Sequence, residues 1–138
     1  MAGLVRFGVS IDKDLLEKFD RLIENKNYTN RSEAFRDLIR QELVKKEWCE
    51  EGEVAGTITL VYDHHQRELA RKLMNIQHDN GENIISTQHV HFDHHNCLEV
   101  ITIKGDSKKV RALADVLRAI KGVKHVTLGM SSTGKHIH

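Results

Sequence analysis

Two histidines and a cysteine in the second half of the chain have the types and the spacing of metal ligands. His89 and His91 are two residues apart in a strand-like segment, so both imidazoles project from the same face. Cys97 opens the next strand-like segment, and a five-residue hairpin loop, 92–96, places it opposite His91. Two imidazoles and a thiolate suit a transition metal, either Ni(II) or Cu(II) in a planar site or Zn(II) in a tetrahedral one.

Such a site needs a fourth ligand and a neighbour that orients the imidazoles. His78 ends the preceding helical segment and is the candidate ligand, and the spacing leaves open whether it serves its own chain or a neighbouring subunit. Glu99 shares the face of the strand histidines, and we expect it to accept a hydrogen bond that fixes a histidine tautomer. Four more histidines, for which surface exposure is the default and extra metal binding an open alternative, are His64, His65, His94 and His95.

The composition is that of a folded chain with little net charge. Its 138 residues and 15.8 kDa fit one ordinary domain or two very small ones. Two cysteines cannot build a disulfide framework, and no apolar run is long enough to cross a bilayer. The first residues lack the pattern of a signal peptide, so we expect a cytoplasmic protein with no membrane partner. With a net charge of +1, any binding of nucleic acid depends on a local arrangement of charge.

The first third of the chain has the pattern strand-helix-helix. Apolar residues alternate over residues 5–11 as in a half-buried strand, and helical spacing follows over residues 13–26 and again after Asn30. Asp12 is the predicted N-cap of the first helix, and Asn30 with Glu33 resembles a capping box at the start of the second. A lone strand leaves its backbone N–H and C=O groups unpaired, so we expect it to pair with the same strand of a second chain.

The outer face of that two-stranded ribbon would carry Arg6, Gly8 and Ser10. A ribbon of this kind fits the major groove of DNA, where arginine bonds guanine and serine reaches several base edges. Asn30 and Arg31, at the start of the second helix, offer free N–H groups and a helix dipole to a phosphate. The same residues also fit the solvated face of an edge ribbon, so their spacing alone leaves DNA binding open.

The second half has the order β-α-β-β-α-β, which is the split arrangement of ferredoxin-like folds. Its first strand is predicted over residues 57–62 and its first helix over residues 63–77, and Asp106 is the predicted N-cap of its second helix. We therefore predict an α+β protein in which a dimerising β-α-α domain precedes a ferredoxin-like domain. The predicted parts are a ribbon-helix-helix DNA-binding domain at residues 1–50, a linker at residues 51–56 and a metal-binding domain at residues 57–138.

Taken together, these motifs closely resemble the nickel-responsive ribbon-helix-helix repressor family (NikR). The N-terminal part alone is generic to ribbon-helix-helix proteins. Its fusion to a domain that bears His-x-His-x5-Cys and an upstream histidine is specific, and the likeness covers nearly the whole chain. The motifs that carry it are Arg6-Phe7-Gly8-Val9-Ser10-Ile11-Asp12, Asn30-Arg31-Ser32-Glu33-Ala34, Gln77-His78, His89-Val90-His91 and Cys97-Leu98-Glu99.

The resemblance implies a nickel-dependent transcriptional repressor that is not an enzyme. It implies a homotetramer, a dimer of dimers, with a core of four ACT-like ferredoxin folds and a ribbon-helix-helix dimer at each end. The cofactor it implies is Ni(2+), in a square-planar site made by His89, His91 and Cys97 of one subunit and His78 of its neighbour. The partner it implies is double-stranded operator DNA with a palindromic sequence, expected at genes for nickel uptake.

The resemblance also assigns DNA contacts and a second cation site. Gly8 departs from the family pattern, in which a residue with a side chain, such as threonine, is common at that position. Gly8 can bring the backbone close to DNA but cannot read a base edge with a side chain. The implied residues are Arg6, Gly8 and Ser10 for base contacts, Asn30 and Arg31 for phosphate contacts, and Glu33 and Asp37 for a weaker cation site between the domains.

Three other functions compete with this interpretation. The first is a sensor of copper, cobalt or zinc on the same scaffold, because copper outranks nickel at almost any nitrogen–sulfur site. The second is a metalloenzyme, which is disfavoured because four protein ligands leave no open position for a substrate. The third is a metal-independent ribbon-helix-helix regulator whose second domain binds a small molecule.

Overall fold

The computed structural model describes residues 3–138, and the chain divides into two compact units, Met1–Ile39 and Arg40–His138. The elements confirm the α+β class and the predicted order of the second half. They are α1 (Lys13–Asn25), α2 (Arg31–Cys49), β1 (Glu53–Tyr62), α3 (Arg67–Asp79), β2 (Ile84–His91), β3 (Cys97–Asp106), α4 (Ser107–Ala119) and β4 (Val123–Met130).

The strand predicted over residues 5–11 does not form within the single chain. Residues 3–12 precede α1 without helix or strand structure. The apolar side chains of the segment are open to solvent, with Val5 83% and Phe7 67% exposed. A β-strand forms only where a neighbouring strand shares its backbone hydrogen bonds. Within the described residues of the first unit there is no such neighbouring strand.

Helices α1 and α2 both begin at the predicted caps. The Asp12 side chain accepts hydrogen bonds from the backbone N–H groups of Asp14 and Leu15. The Asn30 side chain accepts from the N–H of Glu33 at 2.9 Å, which is one half of a capping box. The Glu33 carboxylate instead pairs with Arg36, so the returning half of the capping box is replaced by an ion pair within the helix.

The second unit is built on a four-stranded antiparallel sheet with the order β2-β3-β1-β4. Alternate residues of β1 are buried, including Val54, Ile58 and Leu60 at 0% exposure. Strand β1 begins at Glu53 rather than at the predicted Thr57, because Val54 and Gly56 already lie buried in the sheet. Strand β1 therefore includes residues 53–56 of the predicted linker. The domain boundaries themselves remain a prediction.

Helix α3 begins later than predicted. The sequence places a helix from Asp63, but α3 starts at Arg67. The Asp63 side chain accepts from the N–H of His65 at 2.9 Å, which makes a turn between β1 and α3. His64 and His65 therefore lie in a loop and not on the first turn of a helix.

Strands β1 and β4 approach each other closely at two glycines. A Cβ atom on Gly56 would overlap the backbone oxygen of Gly129 and lie 3.1 Å from the ring of Trp48. Trp48 is 1% exposed, and its indole N–H donates to the backbone oxygen of Ser131 at 2.8 Å. Because Gly56 has no side chain, Trp48 in the last turn of α2 can pack against β1.

We expect Gly56→Ala to lower the free energy of unfolding by about 1–3 kcal/mol, because the added methyl group has backbone on one side and a buried indole on the other. Urea denaturation followed by tryptophan fluorescence measures this change. Gly81→Ala is the matched control, since its new Cβ would meet the backbone oxygen of His78 at an ordinary 3.4 Å. Equal stability of the two variants would contradict the account of the β1–β4 approach.

Candidate metal centre

The register of β2 and β3 confirms the predicted hairpin. His91 pairs with Cys97 and His89 pairs with Glu99, so the connecting loop is residues 92–96. All four side chains therefore belong to one face of the sheet, since directly opposite residues of an antiparallel pair point to the same side. Cys97 and Glu99 are 0% and 2% exposed, whereas both histidines lie exposed on the edge strand.

Glu99 is placed to accept a hydrogen bond from the ring of His89. The Nε2 atom of His89 lies 2.6 Å from Oε1 of Glu99. The other carboxylate oxygen accepts from the side-chain amide of Gln77 at 3.1 Å, and Thr87 donates to the same amide's oxygen at 3.2 Å. With its Nε2 proton directed at Glu99, the ring of His89 has Nδ1 as its free donor atom for a metal.

Cys97 is buried in the core of the second unit, on the face of the sheet that also carries the two exposed histidines. Burial raises the pKa of its thiol, and the charge of Glu99 adds to that effect, while a hydrogen bond with Tyr62 lowers it in part. Tyr62 pairs with Cys97 across β1 and β3, and burial, with Glu99 next, raises the pKa of its phenol well above the usual range. Binding of a metal to Cys97 therefore has to expel a proton, because the thiolate is the ligand.

The three predicted ligands share a face without meeting at one point. The ring of His91 stacks on that of His64, with centroids 4.2 Å apart and planes 9° apart. His89 is turned toward Glu99, as described. Within residues 3–138, only Asp63, His65 and His95 form a group of three or more candidate ligands whose donor atoms all lie within 4.8 Å of one another. At least two of the donor atoms of His89, His91 and Cys97 are thus more than 4.8 Å apart.

His78 occupies the last turn of α3 and is exposed. Its neighbour Gln77 is the residue that reaches the sheet, through Thr87 and Glu99. Successive residues of an α-helix are about 100° apart around the axis, so His78 leaves α3 in a different direction from Gln77.

The residues predicted to contact DNA are exposed in the first unit. Arg6, Gly8 and Ser10 all lie in the segment before α1, and a Cβ on Gly8 would have nothing within 4 Å. The side chain of Asn30 caps α2 by accepting a hydrogen bond from the N–H of Glu33. The Arg31 guanidinium makes two hydrogen bonds of 2.9 Å to Asp20, and these hold the pKa of the Asp20 carboxyl below its usual value.

The two residues of the predicted second cation site already have partners. Glu33 pairs with Arg36, and Asp37 accepts a short hydrogen bond from the hydroxyl of Tyr28. The bond to Asp37 raises the pKa of the Tyr28 phenol. A cation at these carboxylates would have to compete with both partners.

The contacts of three residues near the candidate centre were not predicted from the sequence. Gln77 and Tyr62 support Glu99 and Cys97, and His64 stacks on His91. The burial of Tyr62 could have been predicted, because the alternation of residues along β1 places Tyr62 on the buried face at the end of the strand. The other two depend on how α3 and its preceding loop pack on the sheet, which local pattern does not determine.

Comparison with known proteins assigns the family. The family described as "NikR C terminal nickel binding domain" matches residues 55–131, and "Ribbon-helix-helix protein, copG family" matches residues 5–46. The chain belongs to the nickel-responsive regulator family. It is 58% identical to a "Putative nickel-responsive regulator" of Syntrophus aciditrophicus, over 98% of both chains. A protein of the same name from Pyrococcus furiosus is 56% identical over 98% of this chain and 99% of its own.

A solved structure has a fold similar to part of this chain. An uncharacterized protein from Thermotoga maritima matches with a TM-score of 0.50 at 18% identity, over 56% of this chain and 98% of its own. As a nickel-responsive regulator, the chain combines a ribbon-helix-helix domain with a nickel-binding domain, uses Ni(II) and is not an enzyme, as predicted. In residues 3–138, no helix is long and apolar enough to cross a membrane.

We expect Gln77→Ala to lower the free energy of unfolding of the metal-free regulator by about 1–3 kcal/mol, because it removes a donor from a buried carboxylate oxygen of Glu99. Chemical denaturation in the presence of a chelator measures this loss. Gln88→Ala is the control, since Gln88 is exposed and adjacent β2 residues alternate between faces. A loss of the same size at Gln88 would show that the effect does not come from Glu99.

Proposed function

We propose that this regulator represses transcription by binding a palindromic DNA operator when Ni(II) is held by His89, His91 and Cys97 of one subunit and His78 of a neighbour. The observation that carries the proposal is the pairing of His91 with Cys97 in the β2–β3 hairpin. Backbone hydrogen bonds fix the two positions on one face, and in the proposed site the exposed ring of His91 turns from His64 toward Cys97. Imidazole nitrogen and thiolate sulfur form a donor set that fits Ni(II).

The direction of His78 supports a site shared between subunits. Gln77 faces the sheet of its own chain through Glu99, and His78 leaves the helix at a different angle and is exposed. A side chain in that position is free to reach another copy of the chain. Glu99 would remain bonded to His89, which keeps the ring in one tautomer and one orientation.

We further propose a homotetramer, in which paired ribbon-helix-helix domains flank four ACT-like domains. The first unit supports the pairing because it leaves an apolar groove uncovered. A partner strand in this groove would pair the backbone of residues 5–11 and remove the apolar side chains from water. The residues that line the groove include Phe7, Val9, Ile11, Leu15, Leu16, Phe19, Phe35 and Leu38.

In the proposed complex, Arg6, Gly8 and Ser10 face the bases of the operator. All three are exposed and lie on the alternate positions of the segment from those that line the groove. Asn30 and Arg31 would meet the phosphates through the N–H groups at the start of α2, with the Arg31 side chain oriented by Asp20. Such a regulator works in the cytoplasm, where its DNA is, and we propose genes for nickel uptake as its targets.

The coupling between metal and DNA follows from a ligand set that spans two subunits. Metal binding favours the arrangement of subunits that brings His78 to the Cys97 of its neighbour, by as much as the affinities for the two arrangements differ. We propose that the same arrangement lets both ribbons enter successive major grooves. A weaker cation at Glu33 and Asp37 would act on the first unit, by exchange with Arg36 and Tyr28.

Replacement of the buried thiol tests the metal half of the proposal. We expect Cys97→Ala to abolish both the nickel–thiolate absorption and the nickel-dependent binding of a palindromic operator, measured by fluorescence anisotropy. Cys49→Ala is the matched control, because Cys49 is exposed at the end of α2. If the chelator-treated protein bound the operator as tightly as the nickel-loaded one, the regulator would be metal-independent and the proposal would be wrong.

Replacement of a ribbon arginine tests the DNA half. We expect Arg6→Ala to weaken operator binding by about 1–3 kcal/mol, because a bidentate contact to guanine would be lost, while nickel binding stays the same. Lys18→Ala removes the same charge from an exposed position on α1, where Lys18 pairs with Asp14, and is expected to have little effect. Equal losses from the two variants would contradict base reading by the ribbon.

A further inference from the structure

A bidentate ion pair joins α1 to the start of α2. Nε of Arg31 donates to Oδ1 of Asp20 and Nη2 donates to Oδ2, both at 2.9 Å. The two residues are 11 positions apart in the chain, whereas Lys18 and Asp14 form an ion pair within α1. Two parallel N–H···O bonds fix the plane of a guanidinium as well as its position. The orientation of Arg31 is therefore set by a residue of another helix.

Asp20 takes up only part of the Arg31 guanidinium. Arginine has five N–H donors in a fixed planar arrangement, and the two bonds to Asp20 use one of them on Nε and one on Nη2. The other three donors, two on Nη1 and one on Nη2, are directed away from the carboxylate. The side chain of Arg31 is 61% exposed and that of Asp20 is 44% exposed. A phosphate can therefore reach Arg31 without displacing Asp20.

Arg31 lies at the place where the proposed complex needs an oriented donor. Arg31 and Ser32 line the apolar groove of the first unit, in which the partner strand is proposed to lie. Arg31 is also the first residue of α2, directly after Asn30, whose side chain caps the helix. A phosphate at this helix end would meet backbone N–H groups and the Arg31 side chain together. The direction in which Arg31 points thus decides which phosphate it can bind.

Asp20 also cancels the charge of Arg31 toward phosphates that are not in contact with it. The hydrogen bond from Arg31 is the largest cause that holds the pKa of the Asp20 carboxyl below its usual value, so the carboxylate is ionised at neutral pH. A phosphate at a distance therefore meets a pair with no net charge, whereas a phosphate in contact meets oriented N–H donors. Non-specific binding of DNA is dominated by positive charge near the phosphates, and the pair contributes little to it.

We propose that Asp20 is a specificity-determining residue of the DNA-binding surface, because it positions Arg31 for one phosphate and cancels the charge of Arg31 toward all others. The inference rests on the proposed function and deepens it. In the operator complex, base contacts by the ribbon select one position on the duplex, and one phosphate then lies at the remaining donors of Arg31. On random DNA no single position is selected, and the neutral pair adds little attraction. Asp20 thus increases the difference between the two affinities.

The test measures DNA binding by the full-length protein, with and without nickel, by fluorescence anisotropy over a range of salt concentrations. One duplex is a palindromic operator selected from a library with the wild-type protein, and the other has a random sequence. We expect Asp20→Asn to bind the random duplex several-fold more tightly at low salt. The slope of log K against log salt should become steeper by about 0.9 for each Arg31 that faces a phosphate. The preference for the operator over the random duplex should fall.

Two further variants separate positioning from net charge. Asp14→Asn removes the same charge from an exposed residue of α1 that pairs with Lys18, and it should change the slope and the preference less than Asp20→Asn does. Arg31→Lys keeps the positive charge but cannot form two parallel bonds to Asp20. It should lower the preference for the operator without making the slope steeper. Circular dichroism establishes that each variant is folded.

Three results would overturn the inference. They are an unchanged salt slope of Asp20→Asn on the random duplex, an unchanged preference for the operator, and equal changes in Asp20→Asn and Asp14→Asn. The last result would mean that only the net charge of α1 matters. A wild-type protein that binds both duplexes alike, with and without nickel, would contradict the proposed function instead. The salt slope on the random duplex would then still decide the role of Asp20.

Discussion

The pairing register between β2 and β3 is the constraint on which the candidate metal centre depends. A shift by one residue would turn every side chain of β2 to the opposite face. His89 and His91 would then leave Glu99 and Cys97 behind and face away from α3. The register is well specified, because Cys97 and Glu99 are on the buried face and β3 is locked between β2 and β1. The sheet thus places His89, His91 and Cys97 on one face before any ion is present.

Much of this arrangement was readable from the sequence. The His-x-His spacing, the five-residue loop and the alternation of β3 together predicted which residues face each other, and the structure confirms that register. The N-caps at Asp12 and Asp106 could be predicted as well, because a short polar side chain before an amphipathic segment commonly caps a helix. These features are local, and local patterns are what a single sequence records well.

The remaining features depend on contacts between distant segments. The support of Glu99 by Gln77 and the stack of His64 on His91 require α3 and its leading loop to settle on the sheet. The late start of α3 has the same origin, since Asp63 caps a turn rather than a helix. The segment 5–11 is a different case. Its pattern is that of a strand, but the partner that makes it one belongs to another chain.

The bond between His89 and Glu99 would affect the speed of metal capture at the proposed nickel site. A neutral imidazole free in water interconverts between two protonation patterns and many orientations, and only some of these present a lone pair to an incoming ion. Here the buried carboxylate of Glu99, which is bonded to Gln77, already fixes one protonation pattern and one orientation of the His89 ring. The entropy of ordering the ring is spent during folding of the chain, so less of it opposes the first encounter with the ion.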